Sequence, residues 1–225
     1  MKRPSLSNIS GSSAFTLIEL MAVMTIIGLL VAMTVPLFSS VSEANSISAG
    51  SQIVVDQVSQ ARQMAAARNV PIEVRFVLQP SRLPGNPASY SNVYNAVQLW
   101  RTDPAGGASQ PAAKLVPLPN GIVIAVGSTA PYLSPPLAST ATPAPLSGTL
   151  SFGGTSLNYV GFEIRPAGLI PTMLDQGLGN SYVSIVPLRY STKTSNDLKG
   201  TTRSVSNFAL VQINPFTASA RIYQP

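Results

Sequence analysis

"SSAFTLIELMAVMTIIGLLVAMTVPLF", residues 12–38, is apolar almost without break and carries one full charge, Glu19, near its start. From Phe15 to Phe38 the run gives about 36 Å of helix at ~1.5 Å per residue, enough to cross a bilayer core of ~30 Å. A secretory signal places its small-residue cleavage site after the apolar core. Here the small residues Gly11, Ser12, Ser13 and Ala14 stand ahead of it, behind the polar leader MKRPSLSNIS. Lys2 and Arg3 are the leader's only charges, so the positive-inside bias keeps the N-terminus cytoplasmic and sends the residues after about 38 outward.

Composition narrows the chemistry. With 225 residues, 45% of them hydrophobic, the chain can bury one ordinary core, or one core plus an appendage. It has no cysteine and no histidine, which excludes disulfides, thiolate or imidazole metal sites, cysteine nucleophiles and histidine-based triads. Charged residues are 10% of the chain and the net charge of +6 is thinly spread, a surface that suits an extracytoplasmic or assembly protein.

The segment Ala14-Phe15-Thr16-Leu17-Ile18-Glu19-Leu20 resembles the prepilin signal of type IV pilins and type II secretion pseudopilins. In that family a small residue precedes the cut, Phe follows it, and Glu is the fifth residue of the mature chain; counted from Phe15, Glu19 is the fifth. The resemblance implies cleavage between Ala14 and Phe15 by the membrane prepilin peptidase and N-methylation of Phe15. The apolar run is then retained as the filament-forming helix. It implies a single-pass inner-membrane protein with its C-terminal domain in the periplasm, later part of a periplasmic or surface filament. Its partners would be the prepilin peptidase/N-methyltransferase, other pilin or pseudopilin subunits and the inner-membrane assembly platform, with no cofactor and no catalytic role.

The physics of Glu19 points the same way. A lone carboxylate in hydrocarbon is costly, so such residues are rare and usually paired. Cleavage would create an amine on Phe15, and a neighbouring subunit shifted along the filament axis could offer that amine to Glu19. Such a pair would set axial register in assembly, since a mismatch leaves a buried unpaired charge. The alternative is that Glu19 snorkels to the headgroups of an ordinary signal anchor.

Beyond Pro36, which predicts a kink by removing a backbone donor, apolar residues recur at Leu37, Val41, Ala44, Ile47, Val54, Val58, Ala61 and Ala65, mostly three and four apart. This predicts an amphipathic helix over 39–69 whose polar face carries Glu43, Asp56, Gln57, Gln60, Arg62 and Arg68. Gly50 and Ser51 interrupt the seam and predict a flexible or bent point; Asn69-Val70-Pro71 predicts the stop. A coiled coil is the alternative, which the gap near residue 51 disfavours.

From residue 70 to 225 the pattern turns to β-structure. Ile72, Val74 and Phe76 alternate with Glu73 and Arg75, the pattern of a half-buried strand. Further strands are predicted at 93–101, 121–126, 157–165, 181–190, 205–213 and 217–223, the last two joined by a turn at Asn214-Pro215-Phe216. The predicted fold is α+β and pilin-like, a long N-terminal helix with a transmembrane half and an amphipathic half, the latter packed on an antiparallel sheet. Between about 80 and 149 the chain is rich in Pro, Ser, Thr, Ala and Gly, most clearly at 127–149, and reads as an exposed, mobile insertion.

Two narrower resemblances concern the subfamily. Ala61, Arg62, Arg68, Asn69 and Pro71 in "ARQMAAARNVPIEVRFV" (61–77) are similar to the pattern of H-type minor pseudopilins. The ending "VQINPFTASARIYQP" (211–225) is similar to that of the prepilin-like Verru_Chthon cassette protein D family. No nucleophile elbow or phosphate loop stands out, and the acids outside the apolar run are scattered; Asp175 or Asp197 with nearby carbonyls would be the weak calcium candidates. Two functional classes follow: a structural minor pilin or pseudopilin, and a DNA- or ligand-binding minor pilin using Arg189, Lys193, Lys199 and Arg203. A loose basic stretch is more often a solvated face, so nucleic acid is the less favoured partner.

Overall fold

A computed structural model of the protein describes residues 15–83, 93–103, 107–126, 135–137, 141–176, 181–188 and 207–224, with 32–40 and 135 described by backbone alone. By its internal contacts the chain divides into two units, Met1–Ser42 and Glu43–Pro225.

Helix α1 runs from Leu17 to Arg68, and its helical assignment continues through Pro36 and through Gly50-Ser51. In the second unit Ile47, Val54, Val58, Ala61 and Ala65 form its buried stripe, while Asp56, Gln60, Arg62 and Arg68 are exposed. Within this unit the apolar seam starts later than its pattern predicts, since Ala44 is exposed. Gly50 is a packing point rather than a gap. A Cβ there would lie 3.2 Å from Ile122 Cγ2 and 3.6 Å from Ile185 Cγ2, so glycine lets the helix backbone settle onto these sheet residues. Ser51 is buried and its hydroxyl donates to the Ile47 carbonyl at 2.7 Å, which satisfies it without a break in the helix. Asn69, at φ 51°, supplies the left-handed residue that ends the helix where the sequence predicts.

Two antiparallel sheets follow, where the sequence reading expected one. The first is built from β1 (Ile72–Val77), β3 (Ala96–Arg101), β4 (Gln110–Pro111), β5 (Val116–Pro117), β7 (Leu146–Phe152) and β8 (Thr155–Ile164), in the order β4-β3-β1-β8-β7 with β5 also on β3. The second is β11-β10-β9-β6-β2, with β2 Val93–Tyr94, β6 Ile122–Ala125, β9 Ser181–Pro187, β10 Ala209–Ile213 and β11 Ala220–Tyr223. A short helix α2, Pro171–Asp175, lies between β8 and β9 in the chain.

The predicted strand 93–101 is divided between the sheets at Asn95. Its side chain accepts from the Gln79 N–H at 2.7 Å and donates to the Gln79 carbonyl at 3.0 Å. Its own N–H donates to the Val77 carbonyl and its carbonyl accepts from Leu118 N–H. Every polar group of this buried corner residue is therefore engaged, which fixes the point where the chain leaves one sheet for the other.

One buried cluster joins the α1 stripe to Val74, Phe76, Leu99 and Phe162 of the first sheet and to Ile122, Ile124, Ile185 and Val211 of the second. The described parts of the 127–149 segment, residues 135–137 and 141–149, are less detached than their composition predicts. Leu137 is buried in that same cluster, Gln176 Nε2 donates to the Pro143 carbonyl at 2.8 Å, and 146–152 forms strand β7. A few apolar side chains among many small polar ones are enough to pin these described parts.

Strand β1 is buried on both faces, a correction to the half-buried strand its alternation predicts. Glu73 and Arg75 turn away from the main core but not to water. The Arg75 guanidinium lies 4.1 Å from the Trp100 ring centroid and 4.2 Å from that of Tyr159, and its Nε donates to Glu73 Oε2 at 2.6 Å. Glu73 Oε1 accepts from Thr102 Oγ1 at 3.0 Å and Ser109 Oγ at 3.4 Å. Glu163 stands directly opposite Glu73 in the β1–β8 register, and each acid has an arginine two residues on, Arg75 and Arg165, that offsets the like-charge pairing.

Candidate functional site

The start of α1 is a closed set of reciprocal hydrogen bonds. Thr16 is the cap residue and Glu19 the third helical position. The Thr16 N–H and hydroxyl donate to Glu19 Oε2 at 2.9 and 2.8 Å, and the Glu19 N–H donates back to Thr16 Oγ1 at 3.3 Å. This is the capping box of a Thr-x-x-Glu sequence. It satisfies two of the helix's unpaired N–H groups and sets a negative charge in the first turn, where the helix dipole favours it. The carboxylate therefore has partners within its own chain. Neither the pairing with a neighbour's amine nor the snorkelling alternative includes Thr16, although Thr16-Leu17-Ile18-Glu19 before an apolar run carries the signal of a capping box.

From Phe15 to Val31 every residue is exposed, with Phe15 at 82%, Leu17 at 76% and Ile18 at 74%. Among the described residues nothing covers these large apolar side chains, the opposite of Ile47 to Ala65 on the same helix. Such a surface needs lipid or protein around it. Among the residues described with side chains, no helix is long and apolar enough to cross a membrane; the run's side chains are described only as far as Val31.

Ala14 lies outside the described residues, and Pro36 is described by backbone only, within α1. Arg189, Lys193, Lys199, Arg203 and Asp197 also lie outside the described residues, and Asp175 is exposed on α2. Among the described residues no three of His, Cys, Asp and Glu come together as metal ligands.

The geometry defines a class first: an exposed apolar helix, opened by a capped Thr-x-x-Glu turn, leading into an α+β domain. Residues 9–35 match the prokaryotic N-terminal methylation motif, which spans the Ala14-Phe15 junction and Glu19. The motif supports a protein of the type IV pilin and pseudopilin type, processed by prepilin peptidase and assembled with other pilin subunits. No curated protein matches the chain, and no solved structure does.

Proposed function

We propose that the chain is a structural minor pilin or pseudopilin, H-like, of a type II secretion or type IV pilus-like filament. Residues 1–14 are its leader, 15–38 the membrane and later filament-core helix with a kink at Pro36, 39–69 the amphipathic helix, and 70–225 the periplasmic domain. It works by assembly rather than catalysis, stored in the inner membrane as a single-pass protein and drawn into the filament by the assembly platform. The observation that carries this is the methylation motif on a helix start whose apolar side chains from Phe15 to Val31 are all exposed. Phe15 would receive the methyl group once the cut frees its amine, and Glu19 would accept a neighbour's amine in the filament.

Mass spectrometry of the protein recovered from cells that assemble it is the test. A mature chain beginning at N-methylated Phe15 is expected, and Glu19→Ala should be cleaved normally yet left out of the filament fraction. A chain beginning at Met1, or a Glu19→Ala subunit recovered in filaments at the wild-type level, would overturn the reading.

A further inference from the structure

We propose that the outer face of the β10–β11 hairpin is a binding cleft for one oxyanion, a carboxylate or a phosphate, on a ligand about the size of a single sugar or amino-acid residue. The inference is independent of the filament reading. The cleft is an open cavity of about 280 Å³ lined by Gln212, Asn214, Ser219 and Arg221. Its floor is set by the strand register. Gln212 and Arg221 are directly opposite each other on β10 and β11, and beyond them the Asn214 N–H donates to the Ser219 carbonyl at 2.9 Å.

The four side chains are donor-rich and contain no acid. Arg221 forms no ion pair among the described residues, unlike Arg75 and Arg165, which pair with Glu73 and Glu163. The Asn214 side-chain oxygen is already taken by the Phe216 N–H at 2.9 Å, so its Nδ2 is the end left to donate. The Gln212 amide makes no hydrogen bond among the described residues, and the Ser219 hydroxyl shares one with Thr217 at 2.9 Å. A guanidinium presents a planar fork of N–H groups that matches a carboxylate or phosphate with two parallel bonds, and the amides and hydroxyl beside it suit the neutral hydroxyls of such a ligand.

The cleft is also held in shape before any ligand arrives. The turn behind it closes with Thr217 and Ala218 N–H on the Asn214 carbonyl, at 3.4 and 2.8 Å. Buried Ala218 takes the left-handed φ of 47° that the turn requires. From behind, the N–H of buried Ile170 donates to the Pro215 carbonyl at 2.9 Å, tying the tip to the loop after β8. An anion would therefore meet donors whose backbone is already ordered, which lowers the cost of binding. The net charge of +6 adds a general attraction for anions, and the acid-free cleft gives it one place to act.

The test is a titration of the full-length ¹⁵N-labelled protein in uncharged detergent micelles with inorganic phosphate, glucuronate and, as the neutral control, glucose. The side-chain signals of Gln212, Asn214 and Arg221 are followed. Both anions should move these signals saturably while glucose does not. Arg221→Gln should weaken binding roughly tenfold or more, as loss of charge-assisted bonds predicts, with the remaining spectrum unchanged. Tighter binding of glucuronate assigns the cleft to an acidic sugar, and tighter phosphate to a phosphate ester. Shifts that fail to saturate, or saturation that Arg221→Gln leaves unchanged, would overturn the proposal.

Discussion

Replacing Arg75 with Met should cost the fold about 4 kcal/mol, because the guanidinium neutralises a carboxylate that is almost wholly buried. The pair is sealed, with side-chain exposures of 7% for Arg75 and 6% for Glu73. Without the cation, Glu73 keeps, among the described residues, the hydroxyls of Thr102 and Ser109. Breaking one side of a buried ion pair typically costs ~3–5 kcal/mol, and loss of the stacking on Trp100 and Tyr159 adds roughly 1–2 kcal/mol. Met fills the slot between the rings with a flexible apolar chain and returns part of that. A net loss of about 4 kcal/mol is a nearly thousandfold change in the folded-to-unfolded ratio and lowers Tm by roughly 10 °C. Urea unfolding read by far-UV circular dichroism, with emission of Trp100, the chain's one tryptophan, as a second probe, measures it. Glu73→Gln in the Arg75→Met background should restore most of the loss, since no charge is then stranded. If Arg75→Met alone costs under about 1 kcal/mol, the cluster does not hold the sheet and the reasoning fails.

Asn95→Ala should cost about 2–3 kcal/mol, because both side-chain bonds to Gln79 disappear and leave that backbone pair part-buried and unpaired; a denaturation midpoint equal to wild type would refute its role as the corner between sheets. Burial pushes the Tyr94 phenol up. The unfolded chain therefore releases this proton near pH ~10 while the folded chain still holds it. The Tyr94 contribution is fully present below that pH and is lost as pH rises from there through the folded phenol's raised pKa. Tyr94→Phe should flatten the alkaline fall in stability, as read from unfolding curves across that range, and a fall of unchanged steepness would count against the burial argument.

What could be read from the sequence followed period and punctuation. The buried stripe of α1 from Ile47 to Ala65, the helix stop at Asn69, β6, β8 and the β10–β11 hairpin are all written locally, as a 3.6-residue period, a left-handed residue or a turn. What escaped is non-local. Alternation in Ile72–Val77 correctly separates two faces, but whether the second face is wet depends on Trp100 and Tyr159, which arrive from strands 25 and 84 residues further along than Arg75. Leu146–Phe152 lacks an apolar alternation because Ser, Gly and Thr occupy an edge strand, and its partner β8 is what makes it a strand. Gly50 reads as a defect in one dimension and becomes a contact once a sheet lies against it. The cleft residues Gln212 and Arg221 are nine apart in sequence and adjacent only through register.

The capping box changes what a partner amine must do at Glu19. Both bonds from Thr16 end on Oε2, and Oε1 makes no hydrogen bond among the described residues. A carboxylate held this way has spent its conformational freedom on its own helix start and still presents one open acceptor. In the proposed filament a neighbouring Phe15 amine would add to Oε1 without displacing Thr16, so the ordering cost of the acceptor is met before subunits meet. The same arrangement limits the site. The box exists only where the helix begins at Leu17, which ties the position of the charge to the position of the chain's first turn. Thr16 is then the residue that converts a carboxylate somewhere in an apolar run into one at a fixed height, and axial register, a matter of height, would rest on it as much as on Glu19.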